Sequence, residues 1–225
     1  MKRNDLIYKL YHYTSLLNYI IWLFELEMLI LLVNLPLVLV GLVMDFRLTT
    51  IPFYLITSQL VLPSLFAGIA ALKGASKGDG IVKNFINLMK EKTFFIIKVA
   101  WPATIVINIM LFNMTFSNQF SQLRALWWLN LILLAVLITY LINLLLVCSS
   151  WPIPLKKALE ITAKLSIVKS VRYNLNFVII LGTILILRLF PVYLFIFGIS
   201  LSLLLCVVNF QPVVEYVDGR PENKK

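Results

Sequence analysis

Seventeen of the chain's 20 Lys and Arg residues lie in four segments, and these segments alternate with pairs of long apolar runs. The runs are roughly 20 residues each, the length a helix needs to cross a hydrocarbon core of about 30 Å. Inside lipid no water is available to backbone N–H and C=O groups, so a spanning segment of this kind must satisfy them within a helix. The pattern therefore predicts an all-α, polytopic membrane helix bundle forming a single integral membrane domain.

Composition agrees. Of 225 residues, 61% are apolar and 13% charged, against about 25% charged in a soluble domain. The formal charge is +10, but the cations sit beside the apolar runs. The expected partner is anionic lipid headgroup, at roughly 1 kcal/mol per basic residue near the surface; nucleic acid is not expected. Cys148 and Cys206 fall near span ends on the basic side, where a disulfide is not expected. With His12 the single histidine, no zinc site of standard type is expected, and no cofactor is implied.

Six spans are predicted, at about 16–43, 52–72, 94–114, 125–147, 176–189 and 192–210. Asn34-Leu35-Pro36 interrupts the first, where proline kinks a helix by removing a backbone bond. Residues 176–210 form one apolar stretch of 35 residues, about 52 Å as a helix. That is too long for one crossing, so it is divided near Arg188 and Pro191. Residues 81–92 and 155–172 read as two basic amphipathic cytoplasmic segments lying at the membrane surface. Each is flanked by a pair of spans, a faint parallel repeat. Residues 73–80 read as a flexible loop, and 211–225 as a polar tail.

The N-terminal segment carries three Lys or Arg, the stretch after span two six (with Lys98), the stretch after span four five and the tail three. The other side has only Arg47, Arg124 and Arg188. Cytoplasmic loops carry the basic excess. A bacterial inner membrane with both termini cytoplasmic is the expected setting.

Several motifs resemble the YesL family of bacterial integral membrane proteins. They are Trp22 and Phe24 before Asn34-Leu35-Pro36; Pro63 followed by Ala71-Leu72-Lys73; Lys83-Asn84-Phe85 through Lys92-Thr93-Phe94; and Asn209-Phe210-Gln211-Pro212. The resemblance covers nearly the whole chain. It implies a polytopic membrane protein without an assigned activity, often associated with carbohydrate uptake and utilisation. It brings no catalytic or binding residues. Glu25 and Glu27 depart from the family pattern.

These two glutamates are the foremost candidates for function. An ionisable group well inside a span costs about 2.5–3.5 kcal/mol on insertion scales. Two residues apart on a helix means about 200° of rotation, so they are not a paired acid and base, and at least one should face the bundle. Lys98 is the candidate counter-ion, by depth. The alternative is that the span starts later, with both glutamates near the headgroups and Lys98 snorkelling. Asn34, Asn108, Asn130, Asn143 and Asn209 are intramembrane polar groups that either hold helices together or line a polar path. Arg188 marks an outer turn. Motifs for zinc hydrolysis, serine nucleophiles or phosphate loops are absent, and no enzyme is expected. The expected role is that of an accessory or structural partner of a membrane system such as a carbohydrate transporter. The alternative is a small transporter or channel with a polar path at Glu25, Glu27, Lys98, Asn34 and Asn108.

Overall fold

The structure, a computed structural model, describes residues 2–75, 80–117, 124–189 and 197–219. These residues form α1 (Lys2–Val33), α2 (Leu35–Val43), α3 (Ile51–Thr57), a 3-10 turn at Ser58–Leu60, α4 (Val61–Ala75), α5 (Ile81–Ser117), α6 (Arg124–Ser150), α7 (Leu155–Val168), α8 (Ser170–Leu189) and α9 (Gly198–Val217). No strand occurs among them. Four helical stretches are long and apolar enough to cross a membrane: 51–75, α5, 125–150 and α9. The count rises to six if each of two bent pairs, α1 with α2 and α7 with α8, is one span. The chain is an all-α polytopic helix bundle.

Its centre is α4. Leu62, Pro63, Ser64, Phe66, Ala67, Gly68, Ile69, Ala71, Leu72 and Ala75 are all buried, so the helix is covered on most of its circumference. Small side chains at 64, 67, 68, 71 and 75 let neighbouring helices approach, the usual basis of packing in lipid. At Gly68 a Cβ would lie 3.2 Å from Leu203 and 3.3 Å from both Ile30 and Leu26. Thus α1, α4 and α9 meet at one glycine. On α1 the buried residues Leu23, Leu26, Glu27, Ile30 and Asn34 form one stripe at helical spacing. Ile20, Ile21, Phe24, Met28 and Leu32 are exposed on the lipid side.

Hydrogen bonds fix which helix ends lie together. Lys73, near the end of α4, donates to Ser149 and Ser150 at the end of α6, at 2.7 and 2.6 Å. The Trp151 indole donates to Asp218, just past α9, at 3.0 Å. The ends of α4, α6 and α9 are therefore on one side of the bundle. Asn34 bonds Ser64 while residues 26 and 30 meet Gly68, so α1 runs antiparallel to α4 and begins on that same side. The basic start of α5 and the basic helix α7 follow the ends of α4 and α6 in the chain. At the opposite end, Phe46 of the α2–α3 turn, Leu111, Met114 and Thr115 of α5, and Trp127 of α6 line a hollow of about 360 Å³.

Boundaries differ from the sequence expectation at several points. The kink at Asn34 is present: α1 and α2 meet at 61°. Residues 81–92 do not form a separate surface helix. They continue into the third span as the 37-residue α5, about 55 Å long, because no breaker separates Lys92 from Phe94. The other basic segment is a separate helix, α7, set at 98° to α8, so the two halves of the faint repeat differ. The helix of the expected fifth span, α8, begins earlier than residue 176, at Ser170, which places Arg172 in α8. The last helix runs 198–217, with Pro212 inside it, so the polar tail starts later than Gln211. Among the described residues α8 ends at Leu189, and α9 begins at Gly198 rather than at the expected residue 192. Pro191, the Arg188 side chain and residues 76–79 and 220–225 lie outside the described residues.

Candidate functional site

Glu27 is fully buried and faces the start of α9. Its Oε1 accepts the Ile199 N–H at 3.1 Å, and its Oε2 accepts the Ile199 and Ser200 N–H groups at 3.0 and 2.6 Å. The first N–H groups of any helix lack intrahelical partners, and the dipole favours negative charge there. A carboxylate from α1 thus satisfies the open end of a helix 172 residues away in sequence. Bonds of this charge-assisted kind are among the stronger ones.

Lys98 does not join it. Its side chain is exposed and forms no ion pair with Glu25 or Glu27. Glu25 is half-buried, on the flank of the α1 stripe. The three residues share a depth in the sequence reading, but the helices turn them to different faces. The candidate Glu–Lys98 pair does not form; Glu27 caps α9 instead.

The asparagines divide into two groups. In the first, Asn176 of α8 donates to Asn143 of α6 at 2.7 Å, and Asn209 of α9 donates to the Asn176 side-chain oxygen at 2.7 Å. Asn209 also donates to the Arg172 carbonyl at 2.8 Å, while the Arg172 guanidinium donates to Asn209 Oδ1 at 3.3 Å. This chain ties three helices together through buried amides. Asn176 is its middle member and was not singled out from the sequence.

The second group lies toward the other end. Asn34 donates to Ser64 and to the Ile30 carbonyl, both at 2.8 Å. Gln59, at the 3-10 turn, donates to Thr104 of α5 at 2.7 Å. Asn108, also buried, donates to the Thr104 carbonyl of its own helix at 2.8 Å. Asn130 likewise bonds within its helix, to Leu126. The amide oxygens of Asn34 and Gln59 are buried without a hydrogen-bond partner. Gln59 was another residue not flagged by the sequence.

Lys73 is the cationic counterpart of Glu27. Besides the two serines it reaches the Leu146 carbonyl at 3.3 Å, so a positive charge sits at the carboxyl end of α6, where the dipole favours it. The flexible-loop reading of Lys73 is corrected accordingly: α4 extends through Ala75.

Comparison with protein families, with curated proteins and with solved structures returns no match. The chain's own geometry is what speaks to its role. Glu27, Lys73 and the Asn143–Asn176–Asn209 chain all join helix to helix. Glu25, Glu27, Lys98, Asn34 and Asn108 do not converge on one site, and none of them lines the hollow at Phe46 and Trp127.

Proposed function

We propose that this chain is a non-enzymatic subunit of a bacterial inner membrane, with both termini cytoplasmic, serving as an accessory or structural partner of another membrane system such as carbohydrate uptake. The observation that carries this reading is the use made of Glu27. An acidic group inside a membrane helix is usually a functional one, yet both of its oxygens are engaged on the α9 backbone. The basic helix ends gathered on one side fit the positive-inside bias. The carbohydrate association rests on the YesL-like motifs. Extraction of native membranes in mild detergent tests it. Co-purification with the membrane subunits of a sugar-uptake system in fixed ratio is expected; a chain that purifies alone under several detergents contradicts the reading.

A second reading, a small transporter or channel, has one observation behind it. Two helices are broken, at Asn34 and at Ser58–Leu60, and the amide oxygens beside both breaks lack partners. Broken helices with open oxygens are how many transporters build midplane sites. A polar path would then pass Asn34 and Gln59 rather than Lys98. Solute flux in proteoliposomes, abolished by Asn34→Leu, would favour it over the accessory role.

A further inference from the structure

The corner where α7 meets α8 has features that helix packing leaves unused. The two axes meet at 98°, so when α8 stands across a membrane, α7 lies along its surface. At the corner Ile167 is 81% exposed and Val171 79%, with Val168 exposed between them. Leu175 and Val178 follow Val171 at helical spacing and are exposed too. The corner is thus the end of the lipid-facing stripe of α8. A soluble partner covering that stripe would have to enter hydrocarbon, so wherever no other membrane helix packs there the neighbour of these side chains is lipid.

Cations rim this wedge. Lys164 and Arg172 are exposed and Lys169 is half-buried. Within residues 155–172 the one carboxylate is Glu160, which accepts from Lys164 at 2.6 Å. Lys169 sits 3.8 Å from the centre of the Tyr216 ring, which holds it at the start of α8. Arg172 donates to Asn209, and a guanidinium has five N–H donors in a planar fork. Most of that fork is left for a second acceptor, and its shape suits a phosphate.

We propose that the α7–α8 corner binds the headgroup of an anionic phospholipid, with Arg172 holding the phosphate and Ile167, Val168 and Val171 seated among the acyl chains. Because Arg172 also touches Asn209, the bound lipid steadies the Asn209–Asn176–Asn143 chain that joins α9, α8 and α6. The proposal rests on the membrane reading alone and stands with or without a carbohydrate-uptake partner.

The full chain is placed in nanodiscs of phosphatidylcholine, with or without phosphatidylglycerol. The same lipids occupy both leaflets, so the direction in which the bundle faces does not enter. Lipid retention by native mass spectrometry and the thermal midpoint are read for the wild type, for Lys169→Gln with Arg172→Gln, and for Lys83→Gln with Lys90→Gln on α5. The wild type is expected to prefer phosphatidylglycerol and to gain stability from it. The corner variant should lose about 30-fold in that preference, from about 5-fold per cation near a charged surface, together with the gain in midpoint. The α5 variant should keep both. Each comparison is between lipids for one variant, so a basal cost of losing the Asn209 contact cancels. If the corner variant does not fold, Lys164→Gln with Lys169→Gln reads the same preference without touching Asn209. An undiminished preference in the corner variants, an equal loss in the α5 variant, or equal stabilisation of phosphatidylcholine discs by inorganic phosphate would overturn the assignment.

Discussion

The Glu27 carboxylate lies 2.6 Å from the Ser200 backbone nitrogen, 173 residues away in sequence, and closes the amino-terminal end of α9. A helix end inside a bundle has no water to fall back on. Glu27→Ala should therefore leave two N–H groups unsatisfied and cost about 2–4 kcal/mol, since hydrogen bonds to charged groups are worth about 1.5–3 and orphaned donors add to the loss. Glu27→Gln keeps one acceptor oxygen and should cost less than half as much. Unfolding midpoints in a mild detergent measure both. Equal effects of the two substitutions would contradict the cap.

The asparagine chain predicts coupling between α6 and α8. Interhelical hydrogen bonds in membranes average about 0.6 kcal/mol and reach about 1.7. Asn143→Ala, Asn176→Ala and the double variant form a thermodynamic cycle. A coupling energy of about 0.5–1.5 kcal/mol is expected for residues in one network, whereas Asn130→Ala, which loses a bond within its own helix, should show none with Asn176→Ala.

Gly68 predicts a steep dependence on size. An added methyl meets the flexible ends of Leu203, Ile30 and Leu26 at 3.2–3.3 Å, and these can yield. Gly68→Ala should cost under about 1 kcal/mol, and Gly68→Leu about 1–3 kcal/mol by overpacking. The same stability assay reads both, and a neutral leucine would show that the three helices do not meet there.

Lys73 predicts a separable effect at the other charged lock. Lys73→Met keeps most of the aliphatic stem but removes the donors to Ser149, Ser150 and the Leu146 carbonyl. A loss of about 1–2 kcal/mol is expected, because hydrogen bonds from a charged group and the dipole both contribute. Lys98→Met, on an exposed face, should change stability by less than about 0.5 kcal/mol.

The helical stretches long and apolar enough to cross a membrane were legible because lipid imposes a length and a periodicity on every crossing, and Pro36 announced the kink it produces. The Glu27 site was half legible. Its depth marked it as unusual, but its partner is backbone N–H, which every residue except proline carries and which no sequence pattern flags. Lys98 was a plausible partner by depth alone, and depth does not say which face a side chain takes; the period of α1 and the phase of α5 decide that. The central place of α4 had a signal in Ser64, Ala67, Gly68, Ala71 and Ala75, small residues whose spacing lies along one side of a helix. Asn176, near a span end, and Gln59, inside the second span, look like ordinary polar residues until the neighbouring helices supply Asn143, Asn209 and Thr104. The continuity of α5 could have been read from the lack of Gly or Pro between residues 81 and 101.

The proposed membrane topology, with both termini cytoplasmic, is tested most directly by cysteine labelling in intact cells. In a background with Cys148 and Cys206 replaced by serine, Leu48→Cys should react with a membrane-impermeant maleimide added outside. Gly80→Cys, Ala163→Cys and Gly219→Cys should react only after the cells are opened. Labelling of Gly80→Cys or Gly219→Cys in sealed cells, or of all four positions alike, would contradict a bundle whose basic helix ends face the cytoplasm.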